Sequence, residues 1–347
     1  MNVVIEWILR IIEWPPIFNI IALPGFLASL AVVVFAIWFE RKAAARVQMR
    51  YGPLNISPRI GGFLQLIADL TRFAFQEIIV PEKADYMPFI VSPIIYLVSS
   101  VTAVAAIPAT SLPQYHVINS SYTMLIALAI LSIPGIMVLA AAWASNNKFS
   151  LIGGVREAYV IASCELPVFI SALAASVAAG TLCLTSIVGF QKNTLWLAIL
   201  DPPAAVAFFI AVLLSTSKFP FEIPEAESEI VAGPFTEYSA LLFGLSMGGG
   251  YIKSYVYNLL FTVAFLGGWL PYEPHGGFWT GMIIPAIIVF VKAGILTCVM
   301  AFMRSVFPRY RIDQAIRYSW KYLIPLSLAG VAIAFVIAAV ASGGVVA

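Results

Sequence analysis

Long apolar stretches alternate with short polar ones along the chain. The apolar runs cover roughly residues 17–39, 88–108, 121–143, 157–182, 194–217, 238–266, 277–303 and 321–343. Each supplies about the 20 residues a helix needs to cross a bilayer. The pattern therefore predicts an all-α, polytopic membrane protein with about eight transmembrane helices. A membrane β-barrel would show segments of about 10 residues alternating polar and apolar, unlike these continuous runs. Prolines 134, 167, 202, 203 and 285 fall inside several spans, and lipid tolerates such breaks where protein or a cavity satisfies the freed backbone. Ahead of the first run, MNVVIEWILRIIEWPP mixes Glu6, Arg10 and Glu13 with apolar residues. It lacks the uncharged core and cleavage site of a signal peptide and reads as an interfacial helix over 1–16, with Trp7 and Trp14 at headgroup depth. Residues 1–347 read as a single membrane domain.

Composition sharpens this picture. Of 347 residues 61% are hydrophobic and 10% charged, against about 45–50% and about 25% in soluble proteins, so lipid must cover the surface. A net charge of +2 excludes a strongly basic nucleic-acid binder. Cys164, Cys183 and Cys298 form no CxxC pair, and His116 and His275 lie about 160 residues apart. That leaves no disulfide framework, metal site, haem pair or iron–sulfur ligand set. No GxGxxG follows a strand and no GxxxxGK(S/T) occurs, so there is no nucleotide cradle. The expected chemistry is proton or ligand handling, with redox centres elsewhere and no catalytic redox residue in this chain.

Charge placement sets an expected topology. Connections 40–87, 144–156, 218–237 and 304–321 carry fifteen of the nineteen Lys and Arg residues. By the positive-inside rule these connections face the cytoplasm, with both termini on the outer side of a prokaryotic cell membrane.

Four segments carry candidate chemistry. In the first, ERKAAARVQMRYGPLNISPRIGGFLQLIADLTRFAFQE, the residues Leu64, Ile67, Ala68 and Phe75 recur near helical spacing opposite Gln65, Asp69, Arg72 and Gln76. This is an amphipathic helix at the membrane surface. Its basic residues either only set orientation, or Arg41, Arg50 and Arg72 meet a polar headgroup or a docking subunit. The second, KFPFEIPEAESEIVAGPFTEY, holds Glu222, Glu225, Glu227, Glu229 and Glu237 between two apolar runs. Pro224 suits a helix's first turn, which would put Glu225 and Glu229 on one face, with only Lys218 near in sequence to neutralise them. Such acids titrate jointly, some with raised pKa, unless the segment is simply a solvated acidic loop.

The third is Glu165, nine residues after Arg156 and so roughly 13 Å into the bilayer at ~1.5 Å per residue. An ionisable group at that depth is a functional candidate, the alternative being a neutral structural glutamate. Pro167 just beyond frees a carbonyl available to its proton or to a water. Lys253 and Lys292 also lie within spans, and Lys253 reads as able to snorkel. The fourth, MRSVFPRYRIDQAIRYSWKYLIPL, surrounds Asp313 with Arg304, Arg309, Arg311, Arg317 and Lys321, either as an Arg–Asp pair fixing the loop or as a topogenic cap.

From about residue 17 to 330 these segments resemble the H-type membrane subunit of complex I, the energy-converting NADH-quinone oxidoreductase. The resemblance is carried by ERKAAARVQMRYGP, LQLIADLTRFAFQE, WASNNKFSLIGGVREA, SCELP, PFEIPEAESEIVAGPFTEY and FPRYRIDQAIRYSWKYLIPL in that order. It implies a heel piece of the membrane arm. Its cytoplasmic loops would contact peripheral-arm redox subunits, which hold the flavin and iron–sulfur clusters, and would line a chamber for a quinone or quinone-like substrate. Buried glutamates would lead toward antiporter-like and small membrane subunits. By motif, Arg41, Arg50, Asp69 and Arg72, with Arg309 and Asp313, would belong to the chamber or partner interface. Glu165, Glu222, Glu225, Glu227, Glu229 and Glu237 would belong to the proton route.

The chain departs from the family pattern in places. Cys164 stands where many relatives have Tyr, Ser215 and Gly250 where they commonly carry carboxylates, and Arg72 and Gln76 where lysines are frequent. These departures point to a divergent branch, an archaeal one among the readings. Related subunits of energy-converting hydrogenases or ferredoxin-linked complexes, where no quinone need bind, are the alternative. A standalone secondary transporter is the second alternative, although no pair of inverted broken helices is visible.

Overall fold

The computed structural model describes residues 24–341 other than Asn55 and Ser57, and of Glu227 the backbone alone. The interfacial helix expected over 1–16 and the two termini lie outside the described residues. Among those described, the chain is helical without strands. The helices are α1 (Phe26–Val47), α2 (Gln65–Phe75), α3 (Tyr86–Thr102), α4 (Thr123–Ala144), α5 (Lys148–Ala179) and α6 (Leu184–Asn193). They continue with α7 (Pro202–Ser215), α8 (Ala240–Phe265), α9 (Ile284–Val306), α10 (Ile312–Tyr318) and α11 (Ile324–Ala341).

Five helical stretches are long and apolar enough to cross a membrane: Tyr86–Ala106, Thr123–Ala144, Lys148–Ala179, Trp279–Val306 and Ile312–Ala341. The other three expected runs also hold helix among their described residues, but polar, charged or helix-breaking residues interrupt the apolar character of each. Helix α1 carries Glu40, Arg41 and Lys42 before it ends, and α8 holds Gly248, Gly249, Gly250 and Lys253. The run 194–217 breaks at Asp201, whose carboxylate caps α7 by accepting from the Ala204 N–H at 3.2 Å. Pro202 and Pro203 thus begin a helix, where a missing N–H costs nothing.

Prolines shape the others. Just ahead of Pro285 and Pro325 the chain widens into single π turns, Trp279–Ile283 and Ser319–Leu323, which accommodate residues unable to bond back into the helix. The carbonyl freed by Pro167 belongs to Ser163, and it accepts from Ser319 Oγ at 2.6 Å. It serves packing of α5 on the start of α11, and the expected role toward Glu165 is corrected accordingly.

The core forms where α5 meets α4, α7 and α11 through small residues: Ala172, Ala174, Ala175 and Ala178 of α5 are all buried. A Cβ on Gly330 of α11 would lie 2.6 Å from the Ala204 Cβ of α7, so close approach needs glycine there. Lys292 of α9 donates to the carbonyls of Leu266, Gly268 and Leu270 at 2.7–2.8 Å, closing the loop after α8. Helix α2 lies across α8 with Phe73 against Phe243, centroids 5.9 Å apart. It leaves Ile67, Leu70 and Phe75 exposed, the apolar face expected of a surface helix.

The four connections 40–87, 144–156, 218–237 and 304–321 gather at one end of the bundle. Asn146 Nδ2 donates to the Lys83 carbonyl at 3.1 Å, Arg156 pairs with Glu229, and the Tyr310 N–H donates to the Pro220 carbonyl at 3.0 Å.

Candidate functional site

The acidic segment 218–237 is folded into the protein. Phe221, Ile223, Ala226, Ile230 and Phe235 are buried, so apolar residues interleaved with the acids drag the backbone inward. Two glycines let it settle. Gly233 has φ of +55°, and a Cβ there would run into the Pro224 carbonyl; a Cβ on Gly153 of α5 would lie 2.7 Å from Pro234 Cδ. Ser150 Oγ donates to the Pro234 carbonyl at 2.6 Å, and Tyr238 stacks on Phe89 with centroids 4.2 Å apart.

The helix expected from Pro224 onward shrinks to one turn, Glu227–Ile230. Ala226 is extended and Val231 has φ of +61°, so Glu225 and Glu229 do not share a face. Glu225 turns inward, whereas Glu229 turns out to Arg156. Glu237 accepts from Asn147, the residue that caps α5. Nor is Lys218 the sole counter-charge, because folding brings Arg156, Arg304 and Arg309 to these acids.

Beneath the segment lies a compact charge network. Glu40, near the end of α1 and 5% exposed, pairs with Arg304 of α9 and accepts from Tyr251 Oη of α8 at 2.6 Å. Glu222 accepts from Arg309 at 2.6 Å and lies 4.0 Å from Arg304. The Lys218 ammonium sits 3.2 Å from the Tyr251 ring centroid, a cation–π contact. The Arg304 and Arg309 guanidiniums flank Phe219 at 5.2 and 5.3 Å. On one side of the Lys218–Tyr251 contact, Glu40 and Arg304 border a small void. On the other side, Glu222, Glu225 and Glu157 line a cavity of about 40 Å³ with Tyr96, Ser215 and Gly250, enough for a short file of waters.

Electrostatics follows from this enclosure. Surrounding protein pushes the Glu225 carboxyl up to about 7; Lys218 opposes the shift, and the negative charges of Glu222 and Glu157 add to it. Burial pulls Lys218 below its usual range, against the pull of Glu40 and Glu225. Deeper in, Lys253 is 2% exposed and donates to the Ser215 carbonyl at 2.6 Å. It does not snorkel, because its position midway along α8 is enclosed by α5 and α7. It lies within electrostatic reach of Glu157 and of the half-buried Glu165. Counting Glu40, Glu157, Glu165, Glu222 and Glu225 against Lys218, Lys253, Arg304 and Arg309 leaves one carboxylate in excess. An unpaired charge is costly wherever protein excludes solvent.

Other residues singled out in the sequence sit apart. Arg41 pairs with Asp69 at 2.9 Å on the exposed edge between α1 and α2. Arg50 donates to Gln48 at 2.7 Å and Arg72 lies over Phe73, both exposed. Asp313 meets Arg311 at 3.5 Å in solvent, while Arg309 joins the buried network. Glu40 and Glu157 had no part in the sequence-derived site, while Lys218 entered it only as a counter-charge to the acidic segment and Arg304 only as one of the basic residues around Asp313. Their signal was there in part: Glu40 and Arg304 each stand near the end of an apolar run.

A family model described as NADH dehydrogenase matches residues 20–335. The H-type subunit of NADH-quinone oxidoreductase from Geobacillus thermodenitrificans is 36% identical over 312 residues, covering 90% of this chain and 91% of that one. Its counterpart from Chlorobaculum parvum is 35% identical, covering 95% and 94%, and that from Rickettsia prowazekii 36%, covering 86% and 87%. The match runs through all four charged segments and nearly every helix, and on that extent the chain belongs to the family of H-type membrane subunits of complex I.

Proposed function

We propose that this membrane protein passes the energy of quinone reduction into proton movement through the enclosed carboxylates beneath its acidic segment. The observation that carries the reading is Glu225: a carboxyl poised near neutrality, facing a water-sized cavity, with Glu222 on one side and Glu157 on the other. Electron arrival at a quinone headgroup beside the exposed Arg41–Asp69 edge changes the local charge. A negative charge favours the protonated form of a carboxyl group even through intervening protein, and one pKa unit is only ~1.4 kcal/mol. Glu225 then takes up a proton and later yields it toward Glu165 and the neighbouring antiporter-like subunits. Glu229 and Glu237, tied to Arg156 and Asn147, hold the segment in place. In this reading the peripheral redox arm covers the loop face 40–87, 218–237 and 304–320, and that face is cytoplasmic.

The pH dependence tests this directly. Proton translocation should fall on the alkaline side with an apparent pKa near 7, as Glu225 loses its proton. The sign of each neighbour is fixed. Glu222→Gln removes a negative charge that raises the Glu225 pKa, so the limb moves to lower pH; Lys218→Met removes a cation that lowers it, so the limb moves to higher pH. Coupled proton uptake by membrane vesicles, measured across pH for parent and both variants, checks the pattern. An alkaline limb unmoved by either change would reject the role of Glu225.

A further inference from the structure

A groove of about 730 Å³ runs between α1 and α9. Ala31, Val32, Phe35 and Phe39 of α1 form one wall, and α9 from Phe290 to Phe302 forms the other. Every lining residue is apolar, and Phe35, Ile295 and Phe302 are exposed along it. The groove is separate from the charge network, whose small void is bordered by Ala36, Met300 and Ala301 of the same two helices. In a bilayer such a groove meets hydrocarbon, and its length says which kind. At ~1.5 Å per residue it runs about 12 Å along α1 and about 18 Å along α9, whereas a whole hydrocarbon core is ~30 Å thick. That is the depth of one leaflet. A partner's spanning helix would call for a face about twice as long, while the acyl chain of a single lipid fits.

The two walls end together at Phe39 and Phe302, just short of the paired Glu40 and Arg304. The leaflet is therefore the one on the side of the four gathered connections. On α1, Ala31, Phe35, Phe39 and Arg46 follow one another at helical spacing, so Arg46 stands on the groove's own stripe, about two turns past its end. Helical side chains lean toward the N-terminus of their helix, which tips Arg46 back toward the groove. Arg46 is exposed and makes no ion pair among the described residues. Lys42 lies between it and Phe39, with its ammonium holding the carbonyls of Pro53 and Gly61 at 3.2 and 3.1 Å. An apolar slot one leaflet deep thus opens toward an unpaired guanidinium, a group whose planar fork matches a phosphate. We infer that the groove between α1 and α9 seats an acyl chain of an anionic phospholipid, whose phosphate Arg46 binds.

The test uses the assembled complex, verified by copurification of its partner subunits, in vesicles containing phosphatidylglycerol with a photoreactive diazirine on its acyl chain. After illumination, mass spectrometry maps the adducts. The site predicts adducts on the groove walls of α1 and α9, displaced by unlabelled phosphatidylglycerol and about fivefold less well by phosphatidylcholine. Arg46→Gln should weaken labelling by about the same factor. Gly294→Phe fills the groove and should abolish these adducts; a Cβ at 294 meets nothing within 4 Å, so the ring has room. If that variant fails to assemble, Arg46→Gln decides. Groove labelling that is absent, that both lipids displace equally, or that stays at the parent level in Arg46→Gln or in an assembled Gly294→Phe complex overturns the site. So does a groove that cross-links to a polypeptide, whether a partner subunit or residues 1–23 of this chain, in place of lipid.

Discussion

Glu225→Gln is expected to lower coupled proton translocation by about 10²-fold while the protein still assembles into its complex. Glutamine keeps the size and hydrogen-bonding reach of the side chain but cannot take up a proton. The surroundings favour assembly, since the parent carboxyl there is pushed up to about 7 and so is largely neutral below that pH. Glu237→Gln provides the contrast. Glu237 is bonded to Asn147 at the start of α5 and lies outside the cavity lining, so its replacement should change translocation by no more than about twofold. Proton movement per electron in vesicles checks both. Equal losses in the two variants would mean that the acidic segment matters only for folding.

Arg304→Met should destabilise the protein by about 2–3 kcal/mol, toward the lower end of the cost of orphaning a buried charge because part of the guanidinium is in solvent. Arg304 is the ion-pair partner of Glu40, which is 5% exposed, and it also reaches toward Glu222. Without it Glu40 keeps only the Tyr251 hydroxyl and the field of Lys218. The expected result is a lower melting temperature for the detergent-solubilised complex and loss of this chain from it on mild heating. Removing the orphaned charge as well, in E40Q/R304M, should restore much of the loss. A double variant no more stable than Arg304→Met would show that Arg304 stabilises by packing on Phe219 and not through Glu40.

The eight apolar runs and the surface helix were legible because lipid imposes a length and a face on each helix. The enclosure of the acidic segment was legible only in part, from its place between two apolar runs, and a solvated acidic loop stayed open as the other reading. The network beneath it was hidden for identifiable reasons. Glu40 follows directly on an apolar run, so a hydropathy boundary assigns it to a loop, while α1 continues through it to Val47. Helix α5 starts at Lys148, nine residues before the run that predicts it, which places Glu157 inside a helix and not at its lip. Lys253 looks like a snorkelling residue until α5 and α7 are seen to enclose it. Arg304 and Glu40 are 264 residues apart, and no local pattern couples them. Pairings of that kind arise only when helices pack, and they decide which acids are sealed in and which, like Glu229, face outward.

The central claim is that the Glu225 carboxyl, facing the cavity under the acidic segment, changes its protonation when the complex reduces quinone. Redox-difference infrared spectroscopy of the whole complex reads this through the carbonyl stretch of protonated carboxylic acids. The account predicts a band that appears on reduction at pH near 7 and vanishes in Glu225→Gln but persists in Glu237→Gln. A difference spectrum identical in the parent and Glu225→Gln would contradict it.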